Sequence, residues 1–291
     1  MKKIVAFILP AILLASFASA QPINIGIRGG LGIPNIAPGG AGTPVSEGYK
    51  SRLAAGAGIF TEMEFSKLFS LRLGVEYSGQ GGKKDGMQAM PSSRLISGIA
   101  ANMPNIDENM AAIIGEMASR MPKYVYADIK NKAAFDYLMI PVMAQFGWDL
   151  GANSPWRVYI NAGPFVSFLM GGNQISSGIG TLYTSAEANT SLWNSLPTVA
   201  QDGIIQNLPE LAEKLQNPFE FGTIDITGEL RPVNFGFCGN AGLSYRYKRS
   251  RFFVEFGGNY GLIKVQKNTD NGANRIGSGS AMIGYAFNLI K

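Results

Sequence analysis

From residue 156 to residue 169 the chain alternates strictly. Trp156, Val158, Ile160, Ala162, Pro164, Val166 and Phe168 fall on even positions; Arg157, Tyr159, Asn161, Gly163, Phe165, Ser167 and Leu169 fall on odd ones. A strand turns successive side chains to opposite faces, so one face here is apolar throughout and the other is mixed. The same period recurs at 23–32, 52–64, 70–78, 134–148, 234–247, 251–263 and 274–289, which makes eight candidate strands. One such strand fits a soluble sandwich as well as a barrel.

The connections separate the two. Long segments, 34–50, 79–133 and 171–233, follow the first, third and fifth strands. Brief turns near 66–67, 149–155 and 248–250 follow the second, fourth and sixth, and 266–273 is intermediate. Outer-membrane barrels have an even strand number, short periplasmic turns and longer loops on the outer side. A soluble sandwich has no reason to sort its loops in this way. The pattern predicts an all-β fold: one eight-stranded antiparallel transmembrane β-barrel with helical extracellular inserts at about 79–133 and 171–233. Aromatics gather beside the short turns (Trp148, Trp156, Tyr245, Tyr247, Phe252) and near the C-terminus at Phe287, as a periplasmic girdle would.

Inside the inserts the period changes. Ile106, Met110, Ile113, Ile114, Met117 and Met121 follow helical spacing, with Asn105 and Glu108 spaced as a capping box. A shorter helix is expected around Leu95, Ile96 and Ile99, and Ile204, Ile205, Leu208, Leu211 and Leu215 mark another helical stretch within 186–216. The Met-rich stripe has two readings. It caps the barrel mouth by packing on the other insert, or it is a partner-docking face carried by Ile106, Met110, Ile113 and Met117, since methionine adapts to irregular surfaces.

Composition agrees with an exported membrane barrel. A basic start, an apolar run over 4–14 and Ala18-Ser19-Ala20 predict a signal peptide, residues 1–20, cut before Gln21, with 21–291 as the barrel domain. Loss of Lys2 and Lys3 lowers the formal charge from +5 to +3, and the basic residues are scattered, so nucleic acid is not an expected partner. Charged residues are 15% of the chain, against about a quarter in soluble domains, and glycines number 37. Cys238 is the only cysteine, so no disulfide framework or cysteine-based zinc site arises.

The chain has no histidine. A Ser–His nucleophile pair is therefore ruled out. Asp128 with Asp136, or Glu62 with Glu64, could pair as carboxylates, but acids are common at barrel rims. No glycine run has dinucleotide or phosphate-loop spacing. The expectation is a protein that is not an enzyme and takes no cofactor. The inward faces carry Arg28, Arg52, Glu62, Arg72, Glu76, Arg157, Arg246 and Glu255. Eight strands leave a lumen just wide enough for side chains, so these charges are expected to form a paired interior polar network. A narrow solute path or an apolar-ligand site is the alternative.

Several strand motifs carry a family likeness: GIRGGLG at 26–32, FSLRLGVEYS at 69–78 followed by GGK at 81–83, YLMIP at 137–141 and YINAGPF at 159–165. With these the sequence resembles the PorT-like outer-membrane β-barrel proteins of Bacteroidota-type bacteria. The resemblance implies a single eight-stranded barrel in the bacterial outer membrane and carries no catalytic residues. PorT itself is linked to a secretion system, and that role is not carried over; the partners expected of such a barrel are outer-membrane lipid, the barrel-assembly machinery and an envelope or secretion protein. Two departures stand out. The helical inserts exceed the family's usual loops, and the chain ends in Lys291 rather than an aromatic, leaving Phe287 as the assembly signal.

Overall fold

The computed structural model describes residues 22–38, 43–101, 108–220, 222–268 and 273–289. The expected signal peptide and its cut before Gln21 lie outside the described residues, as do Asn105 and Ile106. Eight long strands appear among the described residues: β1 Ile23–Ala37, β2 Ala54–Glu64, β3 Phe69–Pro91, β4 Tyr124–Asp149, β5 Trp156–Ser177, β6 Val233–Tyr247, β7 Ser250–Gly261 and β8 Arg275–Asn288. Each pairs antiparallel with the next, and β1 pairs with β8, so the sheet closes on itself. A short strand, Thr223–Asp225, adds to the outer part of β5.

Closure removes every sheet edge along the barrel wall, which leaves no unpaired backbone facing lipid. Outward residues are large and apolar: Ile27, Ile59, Val75, Ile160, Phe235, Phe256 and Ile283 are all exposed. At the short-turn end aromatics pair on this outer face. Trp156 meets Tyr245 edge-on at 5.0 Å between centroids, and Phe252 meets Tyr285 at 5.2 Å.

The strands run further than the apolar alternation. β3 continues past residue 78 to Pro91, β4 begins at Tyr124 rather than 134, and β5 extends to Ser177. The β3–β4 ladder holds register from Gly79↔Asp136 out to Pro91↔Tyr124. Beyond the apolar band the outward side chains no longer need to be apolar, so the pattern fades while backbone pairing persists. β1 likewise passes through Pro34 to Ala37. The Pro34 carbonyl accepts from the Arg52 N–H at 3.1 Å, so its nitrogen faces the side where β2 has ended and no donor is needed.

Five α-helices fill the inserts among the described residues: α1 Ser92–Ala101, α2 Glu108–Arg120, α3 Leu192–Ser195, α4 Thr198–Asn207 and α5 Pro209–Gln216. They pack on the inner face of the extended β4. Val125, Ala127 and Ile129 there join Ile114 and Met117 of α2 and Ile204, Leu208, Leu211 and Leu215 of the second insert in one buried cluster. Arg94 on α1 ties the inserts together through an ion pair to Glu229 and a 2.7 Å bond to Gln174.

Candidate functional site

The barrel lumen holds the most concentrated chemistry in the molecule. Strand parity turns Arg28 of β1, Glu62 of β2, Arg72 and Glu76 of β3, and Glu255 of β7 inward, and all five are buried. Arg28 binds Glu76 in a two-pronged contact, Nε to Oε1 at 2.8 Å and Nη2 to Oε2 at 2.7 Å. Its Nη1 reaches Glu255 Oε2 at 2.7 Å. Arg72 Nη1 takes the other oxygen of Glu255 at 2.5 Å, and its Nη2 lies 3.2 Å from Glu62 Oε2. Arg251 of β7 closes the chain, Nη1 to Glu62 Oε1 at 2.9 Å and Nη2 to Oε2 at 2.5 Å. The order is Glu76–Arg28–Glu255–Arg72–Glu62–Arg251. Signs alternate and the six charges cancel.

Neutral donors and acceptors complete the layer. Gln145 accepts from Arg72 at 2.8 Å and donates to Glu62 at 2.9 Å. The Tyr159 hydroxyl donates to Glu255 at 2.9 Å. Three aromatic rings surround the Arg72 guanidinium: Phe60 at 4.5 Å, Phe253 at 5.6 Å and Tyr159 at 5.7 Å from its carbon. Each ring lies opposite a glycine on the neighbouring strand, Phe60 against Gly26, Phe253 against Gly284 and Tyr159 against Gly242. A Cβ at Gly242 would fall 2.3 Å from the Tyr159 ring, so the cross-strand glycine is what lets the ring lie flat over the wall. Buried ions cost several kcal/mol each unless paired and hydrogen-bonded, which this arrangement achieves for every charge, leaving one nitrogen, the Arg251 Nε, buried without a partner.

Above the ion layer the lumen is filled twice more. Met139, Met143, Phe165 and Cys238 form one apolar layer. Ile36, Phe135, Tyr137, Ile226, Leu230, Val265 and Ile276 seal the insert end. The cavity between the ion layer and this seal, bordered by Arg28, Glu76, Cys238 and Ser278, holds about 30 Å³, and a second beside Tyr137 and Phe165 about 10 Å³. Such spaces take one or a few waters. Among the described residues no cluster of three or more His, Cys, Asp or Glu could hold a metal.

Three of the residues expected in this network lie elsewhere. Arg157 and Arg246 point inward by parity but sit at the height of the short turns, where the lumen opens. Both pair with Asp149 at the end of β4, Arg157 at 3.2 Å, and Arg157 also donates to the Lys67 carbonyl at 2.7 Å. Arg52 precedes β2 at the opposite end and donates to the Gln80 carbonyl at 2.7 Å. Arg251, absent from that expectation, shares the parity of Phe253 and Glu255. It opens the expected strand directly after a tight turn, where a charge reads as part of the rim.

The structure describes part of the expected docking face. Met117 is buried and Met110 packs against the same inter-insert cluster, because α2 packs on α4 of the second insert. Ile113 belongs to the same helix, and Ile106 lies outside the described residues. The described part of the stripe, Met110, Ile114 and Met117, is packed within the cap.

Comparisons with known proteins bear on the whole chain. The family model described as outer membrane protein β-barrel domain matches residues 17–267. No curated protein matches. Among solved structures the chain is similar to Neisserial surface protein A, NspA, at 11% identity over 90% of this chain and 96% of that one, with a TM-score of 0.34. It is similar to OprG from Pseudomonas aeruginosa at 11% identity over 93% and 98%, TM-score 0.36. A major outer membrane protein from Thermus thermophilus aligns at 9% identity over 93% and 100%, TM-score 0.39.

Proposed function

Because this chain belongs to the outer membrane protein β-barrel domain family, we propose that it is a closed, non-enzymatic barrel that holds its two helical inserts at the cell surface as an interaction element. The observation that carries this reading is the filled lumen. The ion layer and two apolar layers stack along the barrel, and the two spaces between them are water-sized. A solute path would need a continuous polar channel, and an apolar-ligand site would need an empty apolar one.

In this reading residues 1–20 direct export, and 21–291 form one barrel unit. The short turns face the periplasm and the inserts face outward, in keeping with short periplasmic turns and long outer loops. The strand motifs at 26–32, 69–78, 137–141 and 159–165 favour the PorT-like group within the family, and the outward inserts suit an envelope or secretion protein as partner. Insertion would use the barrel-assembly machinery, with Phe287 near the end of β8 as its contact.

Pull-down from intact envelope tests the reading. Full chain is compared with a variant in which 92–123 and 181–218 are replaced by short turns. Envelope proteins recovered with the full chain and lost with the trimmed barrel support an interaction role for the inserts. Equal recovery with both contradicts it.

A further inference from the structure

Beyond the apolar band, the outer wall carries lysines in a register that ordinary strand pairing disfavours. Lys50 and Lys83 form a β-bridge, with N–H to carbonyl distances of 2.8 and 2.9 Å in the two directions. Lys83 stands directly opposite Lys132 on β4. The next row places Asp85 opposite Lys130. These side chains are exposed, and they border a groove of about 410 Å³ that runs on to Ile175 and Ser177 of β5. Like charges directly opposite in a sheet repel. Among the described residues none of the four lysines enters an ion pair, and Asp85 is the single carboxylate bordering the groove. Three uncompensated positive charges remain.

Height decides what could meet them. On the same strands the apolar band ends at Tyr77 and Leu138, where the Tyr77 hydroxyl donates to Asp136 at 2.5 Å. Lys83 lies about 20 Å further along the strand, and so about 15 Å higher at the usual barrel tilt. Lysine stems reach back several ångströms toward the interface. The groove therefore continues the lipid-facing surface of β3–β5 upward into the headgroup region. We propose that this lysine groove binds the phosphorylated saccharide headgroup of an outer-leaflet glycolipid whose acyl chains lie on the apolar wall below. One amphiphile would satisfy both halves of the surface, and its phosphates would relieve the repulsion within the row. The inference rests on the outward orientation of the inserts.

The test uses the full chain in nanodiscs, with lipopolysaccharide and the same lipid after phosphatase treatment as probes. A Lys83→Gln/Lys132→Gln variant should raise Kd for the intact lipid by about tenfold or more, with strong salt dependence. Phosphatase-treated lipid should bind the unaltered protein as weakly. A Lys248→Gln/Arg249→Gln variant at the opposite end should leave Kd unchanged, and retained heat-modifiable gel mobility shows that each variant folds. Unchanged Kd in the Lys83/Lys132 variant overturns the proposal. So does displacement of the lipid by soluble heparin at equal charge, which would assign the groove to soluble glycans. Labelling of an Asn189→Cys variant by a membrane-impermeant maleimide in intact cells reads orientation separately; no labelling refutes the outward inserts whatever the lipid affinity.

Discussion

Arg72 on β3 and Glu255 on β7 meet across the full width of the barrel, Nη1 to Oε1 at 2.5 Å, from strands four places apart in a ring of eight. Neither side chain has measurable exposure. The bond therefore acts as a strut, and its loss should be felt by the whole barrel. Arg72→Met leaves Glu255 and Glu62 with one arginine each, and should cost about 3–5 kcal/mol in urea unfolding followed by the gel shift. Adding Glu255→Gln should cost less than the sum of the single changes, since the two groups are coupled. Additive costs would refute the strut.

The aromatic layer depends on glycines as much as on rings. Gly242→Ala brings a methyl to 2.3 Å from the Tyr159 ring and should displace its hydroxyl from Glu255. Overpacking of this kind costs about 1–3 kcal/mol. Gly115→Ala on α2, where nothing lies within 4 Å, should instead stabilise its helix slightly. Unfolding midpoints of the two variants should move in opposite directions.

Met117 and Ile114 belong to the cap, so Ile114→Ser or Met117→Ser should loosen the inserts by about 2–4 kcal/mol while sparing the barrel. Limited proteolysis reads both at once: faster cleavage within 92–123 and 181–218, with an intact barrel band. Unaltered cleavage would show that the stripe does not hold the cap together.

Lys84 gives a pH signature beyond the apolar band. Its ammonium lies 4.3 Å from the Tyr49 ring centroid and donates to the Val45 carbonyl at 2.7 Å. Burial lowers its pKa to about 8, with Glu47 acting the other way, and burial pushes Tyr49 up to about 12. Between pH 8 and about 10 the unfolded segment binds more protons at Lys84 than the folded one, so folding strengthens as pH rises. Above about 10 the unfolded segment loses the Tyr49 proton first, and folding weakens again. Hydrogen exchange of the peptide covering 43–52, corrected for intrinsic rates, should slow from pH 7.5 to 9.5 in the native chain. The trend should vanish in Lys84→Met; a trend that persists there would assign it to another group.

The sequence made the wall legible because lipid imposes one rule on every outward position. Parity then identified the inward face of each strand, and Arg28, Glu62, Arg72, Glu76 and Glu255 meet in the lumen. Parity says nothing of height. Arg157 and Arg246 share the inward face yet sit level with Asp149, and only the register around the ring fixes that level. The strand ends were hidden for a related reason: past Tyr77 the outward residues have left the apolar band, so Lys83 and Lys132 could join the ladder without an apolar signature. The stripe on α2 was visible as a stripe, but its cover of Ile204, Leu208 and Leu211 comes from the other insert, far along the chain, which no local period reveals.

Planar-bilayer recording of the purified full chain tests the closed lumen most directly. The stacked ion and apolar layers predict a silent bilayer at moderate voltage, with steps emerging only when all three layers are breached together, as in Arg72→Ala/Glu255→Ala with Phe165→Ala and Tyr137→Ala. Steady, ion-selective steps from the native barrel would contradict the account.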